Sequence, residues 1–363
     1  MIRLLGVLLC FFAVPVLAQT SLRLATYNVG LGRDGPGLLL KDILDRDKDI
    51  LAIAHIIGEV EPDILLITGF DNDYQNVAIG QFSDLLGAET EVDVPYIFAP
   101  LGNAGMDSGL DLNNNGHVRD WADSWGFGRF EGSEGMALLS RFPITQNSHR
   151  FDHIKWQDLG PQPQNPDGSA FFPVGLWPHL RLASHSFWDV EITLPSGPFH
   201  ILAAHPTPPV FDGEEDANGL RNEAEITFLI QYLSGEAFQD DDGNTASLSS
   251  DPFALLADLN ADPFDGDSRK PALRALLAHP RLQDPGPTSE GGLASANATH
   301  SGPAAQDTAD WDEASSGNLR VDYVLPSAAL TVLGAGTYWP VESALVERAE
   351  TRHRLVWVDV ALP

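Results

Sequence analysis

The sequence predicts an α/β protein in which two packed β-sheets are covered by helices. Apolar stretches rich in β-branched residues recur along the whole chain, and loops rich in Gly, Pro, Asp and Asn follow them. Helical periodicity is restricted to a few segments between these stretches. Strands that outnumber the interleaved helices favour two sheets packed face to face, with the helices outside.

The individual elements follow from these patterns. The predicted strands are Leu22–Asn28, Asp63–Thr68, Met136–Ser140, Trp188–Leu194, Phe199–His205, Phe253–Asp258, Leu319–Leu325 and Leu355–Val360. The clearest helical segment is Asp47–Val60, in which one face collects Ile50, Ile53, Ala54 and Ile57. Two further helices are predicted at Gly219–Leu233 and Lys270–Leu277. No internal repeat and no linker divides the chain, so we expect a single domain.

Residues 1–18 have the pattern of a signal peptide. Arg3 precedes an apolar stretch from Leu4 to Val14, and small residues up to Ala18 form a cleavage site. Residues 19–363 are therefore expected to form a secreted or periplasmic protein without a transmembrane segment. Cys10 is the only cysteine and lies in the leader, which excludes disulfides, thiolate zinc sites and cysteine nucleophiles from the mature chain.

The chain is strongly acidic. It contains 51 Asp and Glu residues against 21 Lys and Arg, with a formal net charge of −30. Such a surface repels polyanions, so tight binding of duplex DNA is not expected. A simpler interpretation of the charge is solubility outside the cell. We expect a monomer.

Several predicted strand ends carry polar side chains suited to catalysis. These residues are Asn28, His205, Asp258, Asn260, Asp322 and, just before the last strand, His353. Polar residues that end strands project into the cleft at the sheet edge, where α/β enzymes often place their active sites. Taken singly, an Asp before a turn is more often a cap, and a histidine at a strand end is more often structural.

The order of these residues resembles that of the endonuclease/exonuclease/phosphatase superfamily from Leu22 to the end of the chain. The most specific segments are Ala257–Pro263, Leu319–Val324 and His353–Val358, while Gly135–Arg141 and His205–Pro209 resemble a bacterial exported branch. The resemblance implies a four-layer α/β sandwich of two mixed sheets flanked by helices. It also implies a metal-dependent phosphoester hydrolase of the nuclease, phosphodiesterase or phosphatase type. Its substrate would be a phosphoester-containing small molecule, lipid or nucleic acid.

The resemblance also assigns roles to individual residues. Asp258 would position or deprotonate the attacking water, and Asn260 would fix that water or the phosphate. His353, oriented by Asp322, would donate to a phosphoryl oxygen. His205 would hold the substrate phosphate.

The metal position departs from the family pattern. The cofactor would be Mg²⁺ or Mn²⁺, with Asn28, Asp258 and Asn260 as a weak set of metal-binding residues in which Asn28 orients the metal shell. The family places a metal-binding Glu where this chain has Gly69, and an Asp where it has Arg352. Because Mg²⁺ is held by only one or two carboxylates in such sites, both changes together should severely weaken Mg²⁺ binding.

Three interpretations remain open from the sequence. The first is an active hydrolase with a shifted metal site, in which Asp71 or Asp73 replaces the missing carboxylate. The second is a degenerate enzyme that binds a phosphorylated or other anionic ligand through Arg352, His353 and His205. The third is a non-enzymatic exported interaction or scaffold protein.

One more residue is a candidate for substrate binding. Arg221 lies with Asn222 at the start of a predicted helix after the His205 loop, where it faces either the cleft or solvent.

The segment Asp111–Gly116 matches the opening of a calcium-binding loop. Asp111, Asn113 and Asn115 supply alternating oxygens, and Gly116 permits the tight turn. The position of the usual bidentate Glu is Ala122, so Asp120 or Asp123 would have to supply the missing oxygens. A structural Ca²⁺ and a simple Asn-rich turn are both compatible with this pattern.

Overall fold

The computed structural model describes residues 21–173 and 175–362. The predicted signal peptide lies outside these ranges and stays a prediction, as does export. Among the described residues, none of the helices has the length and apolar character needed to span a membrane.

The strands form two large sheets and one small hairpin. The first sheet has the order β12-β13-β1-β2-β4-β3, the second has the order β11-β10-β7-β6-β5, and β8 pairs with β9. The strands are β1 (Ser21–Leu31), β2 (Ile64–Phe70), β3 (Tyr96–Phe98), β4 (Gly135–Ser140), β5 (His149–Arg150), β6 (Phe187–Leu194), β7 (Gly197–Ala204), β8 (Phe238–Gln239), β9 (Thr245–Ala246), β10 (Phe253–Asp258), β11 (Asp322–Pro326), β12 (Thr331–Tyr338) and β13 (Leu355–Ala361). Both large sheets are mixed, since β1 runs parallel to β2 and β7 runs parallel to β10, while the other pairs are antiparallel.

Helices cover the outer face of each sheet. The α-helices of the described residues are α1 (Leu38–Asp45), α2 (Lys48–Val60), α3 (Val77–Glu89), α4 (Ala217–Leu233), α5 (Lys270–Leu277), α6 (Glu290–Ala294) and α7 (Ala344–Ala349). One core joins α1, α2 and α3 to the first sheet, and a second core joins α4 and α5 to the second sheet. A third core lies between the sheets. The four-layer α/β sandwich that the sequence predicts is thus confirmed.

The period of two along each strand decides which side chains enter the core between the sheets. On β1, Leu22 and Leu24 lie in that core, whereas Ala25 and Tyr27 face the helices. Because successive side chains alternate between faces, the residues that continue the inner row past the end of a strand enter the gap between the sheets.

Some elements were not predicted from the sequence. Helices α1 and α3 were not predicted. In α3, Gly80 and Gly87 interrupt the apolar pattern. The edge strand β12 contains Gly334 and Gly336 and leaves part of one face exposed, so it lacks the apolar run of a central strand. The predicted strand at Leu319 begins only at Asp322.

Candidate active site

Four of the predicted site residues continue the inner rows of four strands. Asn28 continues the row of Leu24 on β1, and His205 continues the row of Ala203 at the end of β7. Asp258 ends β10, and its register partner is Asp322 at the start of β11. Strand alternation therefore carries an amide, an imidazole and two carboxylates to one end of the gap between the sheets.

These four residues and His353 form one group centred on the carboxylate of Asp258, and we call this group the Asp258 cluster. Asn28 donates from Nδ2 to Oδ2 of Asp258 at 2.8 Å. The same oxygen lies 3.5 Å from Nε2 of His205 and 3.7 Å from Nδ1 of His353. Asp258 itself is fully buried. One carboxylate oxygen is thus surrounded by three nitrogen-bearing side chains.

His353 is oriented mainly by Asp322. Its Nδ1 lies 2.9 Å from Oδ2 of Asp322, and that oxygen also accepts a hydrogen bond from Oγ1 of Thr308 at 2.9 Å. The Thr308 hydroxyl in turn accepts the backbone N–H groups of Val321 and Asp322. The hydrogen bond from Nδ1 leaves Nε2 of His353 as the nitrogen available to a ligand.

The ionisable groups of the cluster shift one another's pKa. Burial alone would raise the pKa of Asp258, but His353, His205 and Asn28 outweigh it and hold that pKa below its usual range. Burial, reinforced by Asp258, raises the pKa of Asp322 to about 6 although His353 opposes the shift. Burial disfavours the charged form of His353, yet the two carboxylates raise its pKa to about 9. At neutral pH the cluster therefore combines an ionised Asp258 with a cationic His353.

These pKa shifts predict how stability depends on pH. The pKa of His353 is about 9 in the folded chain and about 6.5 when unfolded. The charged imidazole therefore contributes fully to the free energy of unfolding below about pH 6.5, and this contribution is lost as the pH rises to about 9. Between pH 6 and pH 9.5, we expect the free energy of urea unfolding to fall by about 2–3 kcal/mol more in the wild-type chain than in His353→Gln. The same pH dependence in both chains would contradict the ion pair.

Three predicted residues take other positions. Asn260 has a left-handed backbone, and its Nδ2 donates to the carbonyl of Pro206 at 3.0 Å instead of pointing at the cluster. Arg221 is bonded to four backbone carbonyls, among them Leu182 and Trp125 at 2.9 and 2.8 Å, so the structure does not bring it to the cluster. Arg352 is exposed, and its Nη1 lies 3.5 Å from the carbonyl of Asp310.

The backbone angle of Gly69 and the adjacent Asn28 side chain both disfavour a larger residue at this position. Its φ is +66°, and a Cβ placed there would lie 2.3 Å from Oδ1 of Asn28. That oxygen accepts a hydrogen bond from the N–H of Gly30, while the other end of the amide is bonded to Asp258. The Asn28 amide thus lies against the place where the family's carboxylate would begin.

Asp71 and Asp73, the carboxylates that could compensate for Gly69, both accept hydrogen bonds from backbone N–H groups. The oxygens of Asp71 accept the backbone N–H groups of Arg33 and Glu134 at 2.7 and 2.8 Å. Asp73 accepts the N–H groups of Gln75, Val77 and Ala78 at the start of α3. Both carboxylates are held by the backbone, so compensation would require a local rearrangement.

The cluster could hold a divalent cation only after a change in protonation. Asp258, Asp322 and His353 each offer one ligand atom, and these atoms lie within 4.8 Å of one another. The cationic His353 repels a metal ion, however, and the near oxygens already accept hydrogen bonds. Because a metal must displace the His353 proton, its affinity should rise with pH. As they are arranged here, the residues present do not fit the family's magnesium position.

Sequence reasoning missed residues that surround the cluster. Thr308 bonds Asp322, Trp311 packs edge-on against His353 at a centroid distance of 5.3 Å, and His185 stacks on His205 at 3.9 Å. All three lie in loops without a periodic pattern, so only His185, as a histidine in a polar stretch, carried any signal in the sequence.

The oxygens of the proposed calcium loop bond its own backbone. Asp111 accepts the N–H groups of Asn115 and Gly116 at 3.0 and 2.9 Å, and Asn113 also accepts from Asn115. Asp120 accepts from Nδ2 of Asn115 at 2.7 Å. Such bonds are typical of an Asn-rich turn.

Calcium binding by this loop stays a prediction. If the loop binds Ca²⁺, 1 mM CaCl₂ should raise the Tm by about 1–3 °C over an EGTA control. Asp111→Ala should abolish that rise because it removes the first ligand of the loop. An equal rise in the variant would place the calcium elsewhere.

The chain is similar to a known family in sequence and to known proteins in fold. A sequence model of the Endonuclease/Exonuclease/phosphatase family matches residues 25–344. The fold is similar to that of an endonuclease/exonuclease/phosphatase from Beutenbergia cavernae DSM 12333, with 17% identity, a TM-score of 0.55 and coverage of 94% of this chain and 72% of that one. It is also similar to a family protein from Leptotrichia buccalis C-1013-b, with 13% identity, a TM-score of 0.50 and coverage of 94% and 100%. No curated protein sequence matches the chain.

Proposed function

Because the chain belongs to the endonuclease/exonuclease/phosphatase family, we propose that it hydrolyses a phosphoester at the Asp258 cluster. The observation that carries this proposal is the meeting of Asn28, His205, Asp258 and His353 around one buried carboxylate oxygen. A structural ion pair would need one of these nitrogen-bearing side chains, not all three.

Two members of the cluster, Asp258 and His353, can perform the main parts of the reaction. The oxygen of a water forms the new bond to phosphorus, the ester P–O bond breaks, and the leaving oxygen takes a proton from solvent. Asp258 orients the water and accepts its proton. Its lowered pKa makes it a weak base, so orientation is the larger part of its role. The cationic His353 donates to a phosphoryl oxygen and stabilises the charge that develops there.

Charge neutralisation falls to the side chains in this proposal. Family members use a divalent cation, which polarises phosphoryl oxygens when it is bound. This chain has Gly69 and Arg352 at two of the ligand positions. The positive charge of His353 is available instead, and Arg352 would have to turn away from the Asp310 carbonyl to add its own. Guanidinium groups suit phosphate because they can donate two parallel hydrogen bonds.

A second candidate function is binding of an anionic phosphate ligand without turnover. The residue at position 69 supports it, because Gly69 offers no carboxylate to a catalytic cation and its backbone, with φ of +66°, disfavours a larger residue. The two functions use the same residues and differ in whether a bond is broken.

Hydrolysis of a generic diester and a generic monoester tests the proposal. Bis(p-nitrophenyl) phosphate and p-nitrophenyl phosphate should be assayed with Mg²⁺, Mn²⁺, Ca²⁺ and EDTA, with His353→Gln as the comparison. Hydrolysis that His353→Gln abolishes supports the proposal, and its response to EDTA shows whether a metal takes part.

A negative assay also gives a clear result. Absence of turnover under all four conditions, together with phosphate binding that survives EDTA in calorimetry, would overturn hydrolysis in favour of the second candidate.

A further inference from the structure

We propose that Asn222 and Glu225 of α4, together with His185, are positioning residues that hold His205 against Asp258. This inference rests on the proposed function, since it concerns how one member of the Asp258 cluster is kept in place. We call the three side chains the His205 cradle.

The segment that carries His205 cannot hold itself in place. β7 ends at Ala204, so His205 lies just outside the ladder. Proline at positions 206, 208 and 209 removes three backbone N–H groups from the following residues. The N–H of Thr207 is the one donor left in this run, and a fixed conformation therefore has to come from side chains of other elements.

Side-chain donors supply that fixation at three consecutive carbonyls. Nδ1 of His185 lies 2.9 Å from the carbonyl of His205 and donates to it. Nδ2 of Asn260 donates to the carbonyl of Pro206 at 3.0 Å. Nδ2 of Asn222 donates to the carbonyl of Thr207 at 2.9 Å. Each bond comes from a different part of the chain, so the position of the segment depends on tertiary structure.

Asn222 also ties the two catalytic strand ends together. Its Nδ2 donates a second hydrogen bond, at 2.9 Å, to the carbonyl of Leu259, the residue after Asp258. Asn222 is fully buried. A single amide thus bridges the end of β7 and the end of β10, and it sets the spacing between His205 and Asp258.

Glu225 holds the remaining donor. Its Oε2 accepts the N–H of Thr207 at 2.6 Å, while its Oε1 accepts from the N–H and Oγ of Ser184 at 2.8 and 3.0 Å. Burial raises the pKa of Glu225, but Arg221 one turn earlier and these hydrogen bonds oppose the shift. The carboxylate therefore links the His205 segment to Ser184 and His185, which lie just before β6.

His185 fixes the plane of the catalytic imidazole. The two rings stack at a centroid distance of 3.9 Å with an interplanar angle of 17°. Burial, reinforced by His205, lowers the pKa of His185 well below its usual value, so His185 is neutral at physiological pH. The stacked ring gives His205 a flat surface that fixes its plane.

Arg221 fixes α4 to the segment that precedes Ser184 and His185. Its guanidinium bonds the carbonyls of Arg181, Leu182 and Ala183, the residues just before Ser184. Arg221 and Glu225 lie four residues apart on one helix face and clamp neighbouring stretches of the same segment. This is where the structure places a residue that the sequence suggested for substrate binding.

The variant Glu225→Gln tests the proposal because it keeps shape and touches neither ring. An amide cannot accept from both Ser184 and Thr207 with its two ends, so one bond is lost. We expect kcat/KM to fall about 10–100-fold, since a misplacement of about 1 Å can have that effect. The matched control is His200→Gln, which changes another buried polar residue; His200 lies on β7 and bonds Asp189 away from the cluster.

NMR gives a readout that does not depend on turnover. In Glu225→Gln we expect the His205 ring signals to move and the Thr207 amide to exchange at least about tenfold faster, with neither change in His200→Gln. Unchanged His205 signals, amide exchange and kcat/KM in a folded Glu225→Gln would overturn the proposal. If that variant does not fold, Asn222→Ser should show the same changes, and their absence there would overturn it equally. A wild-type chain without hydrolysis would refute the proposed function alone, because the NMR measurements still decide whether the cradle positions His205.

Discussion

Asp258→Asn should reduce phosphoester hydrolysis by about 10³-fold, within the usual range for removal of a general base. The substitution keeps the size of the side chain but replaces one carboxylate oxygen by an N–H donor. Asn28, His205 and His353 all direct nitrogens at Oδ2 of Asp258, so the new amide would either face these donors or turn away from the water. It also leaves the cationic His353 with only Asp322 as a counterion. Rates should be measured on both generic substrates at saturating concentration.

The control for this variant is Asp189→Asn. Asp189 is similarly buried and bonds His200 and Tyr232 at 2.6 Å each, so its loss costs stability without touching the Asp258 cluster. We expect its activity per folded molecule to match the wild-type chain. Equal activity in Asp258→Asn would mean that the cluster is not the reaction centre.

Gly69→Glu should destabilise the protein instead of restoring the family's metal site. The positive φ and the collision with Asn28 together should cost about 2–4 kcal/mol, from backbone strain and a broken hydrogen bond to Asp258. Urea unfolding measures this loss. Manganese binding, followed by electron paramagnetic resonance, should not improve in the single variant.

Gly168→Glu is the matched control because Gly168 also has a positive φ, of +82°, but has no heavy atom within 4 Å of a Cβ placed there. It should show the backbone cost alone, about 1–2 kcal/mol. Equal stability losses in the two variants would mean that Asn28 moves aside easily.

Arg352→Asp tests the effect of charge on metal binding without the steric collision that Gly69→Glu introduces. It replaces a cation by an anion on an exposed residue, so it should strengthen Mn²⁺ binding about tenfold or more without a steric cost. If Gly69→Glu/Arg352→Asp then bound Mn²⁺ still more tightly and folded normally, the backbone at Gly69 would not be the obstacle.

The sequence by itself determined the fold and most of the Asp258 cluster. Alternating apolar residues require two-faced strands, and strand ends bearing Asn28, His205 and Asp258 must reach the same edge when the strands are neighbours. The family pattern located His353 and Asp322. It also identified Gly69 as a missing carboxylate, which is a matter of residue identity and needs no coordinates.

Only the tertiary structure decided which side chains serve the cluster from outside its strands. Asn260, Arg221 and Glu225 carry no periodic signal, and their partners are backbone carbonyls and N–H groups distant in sequence. Those groups are distinguishable only after the chain has folded, because every residue except proline offers the same ones. For the same reason, the sequence revealed the substitution at position 69, whereas the backbone angle that makes it hard to reverse was visible only in the folded chain.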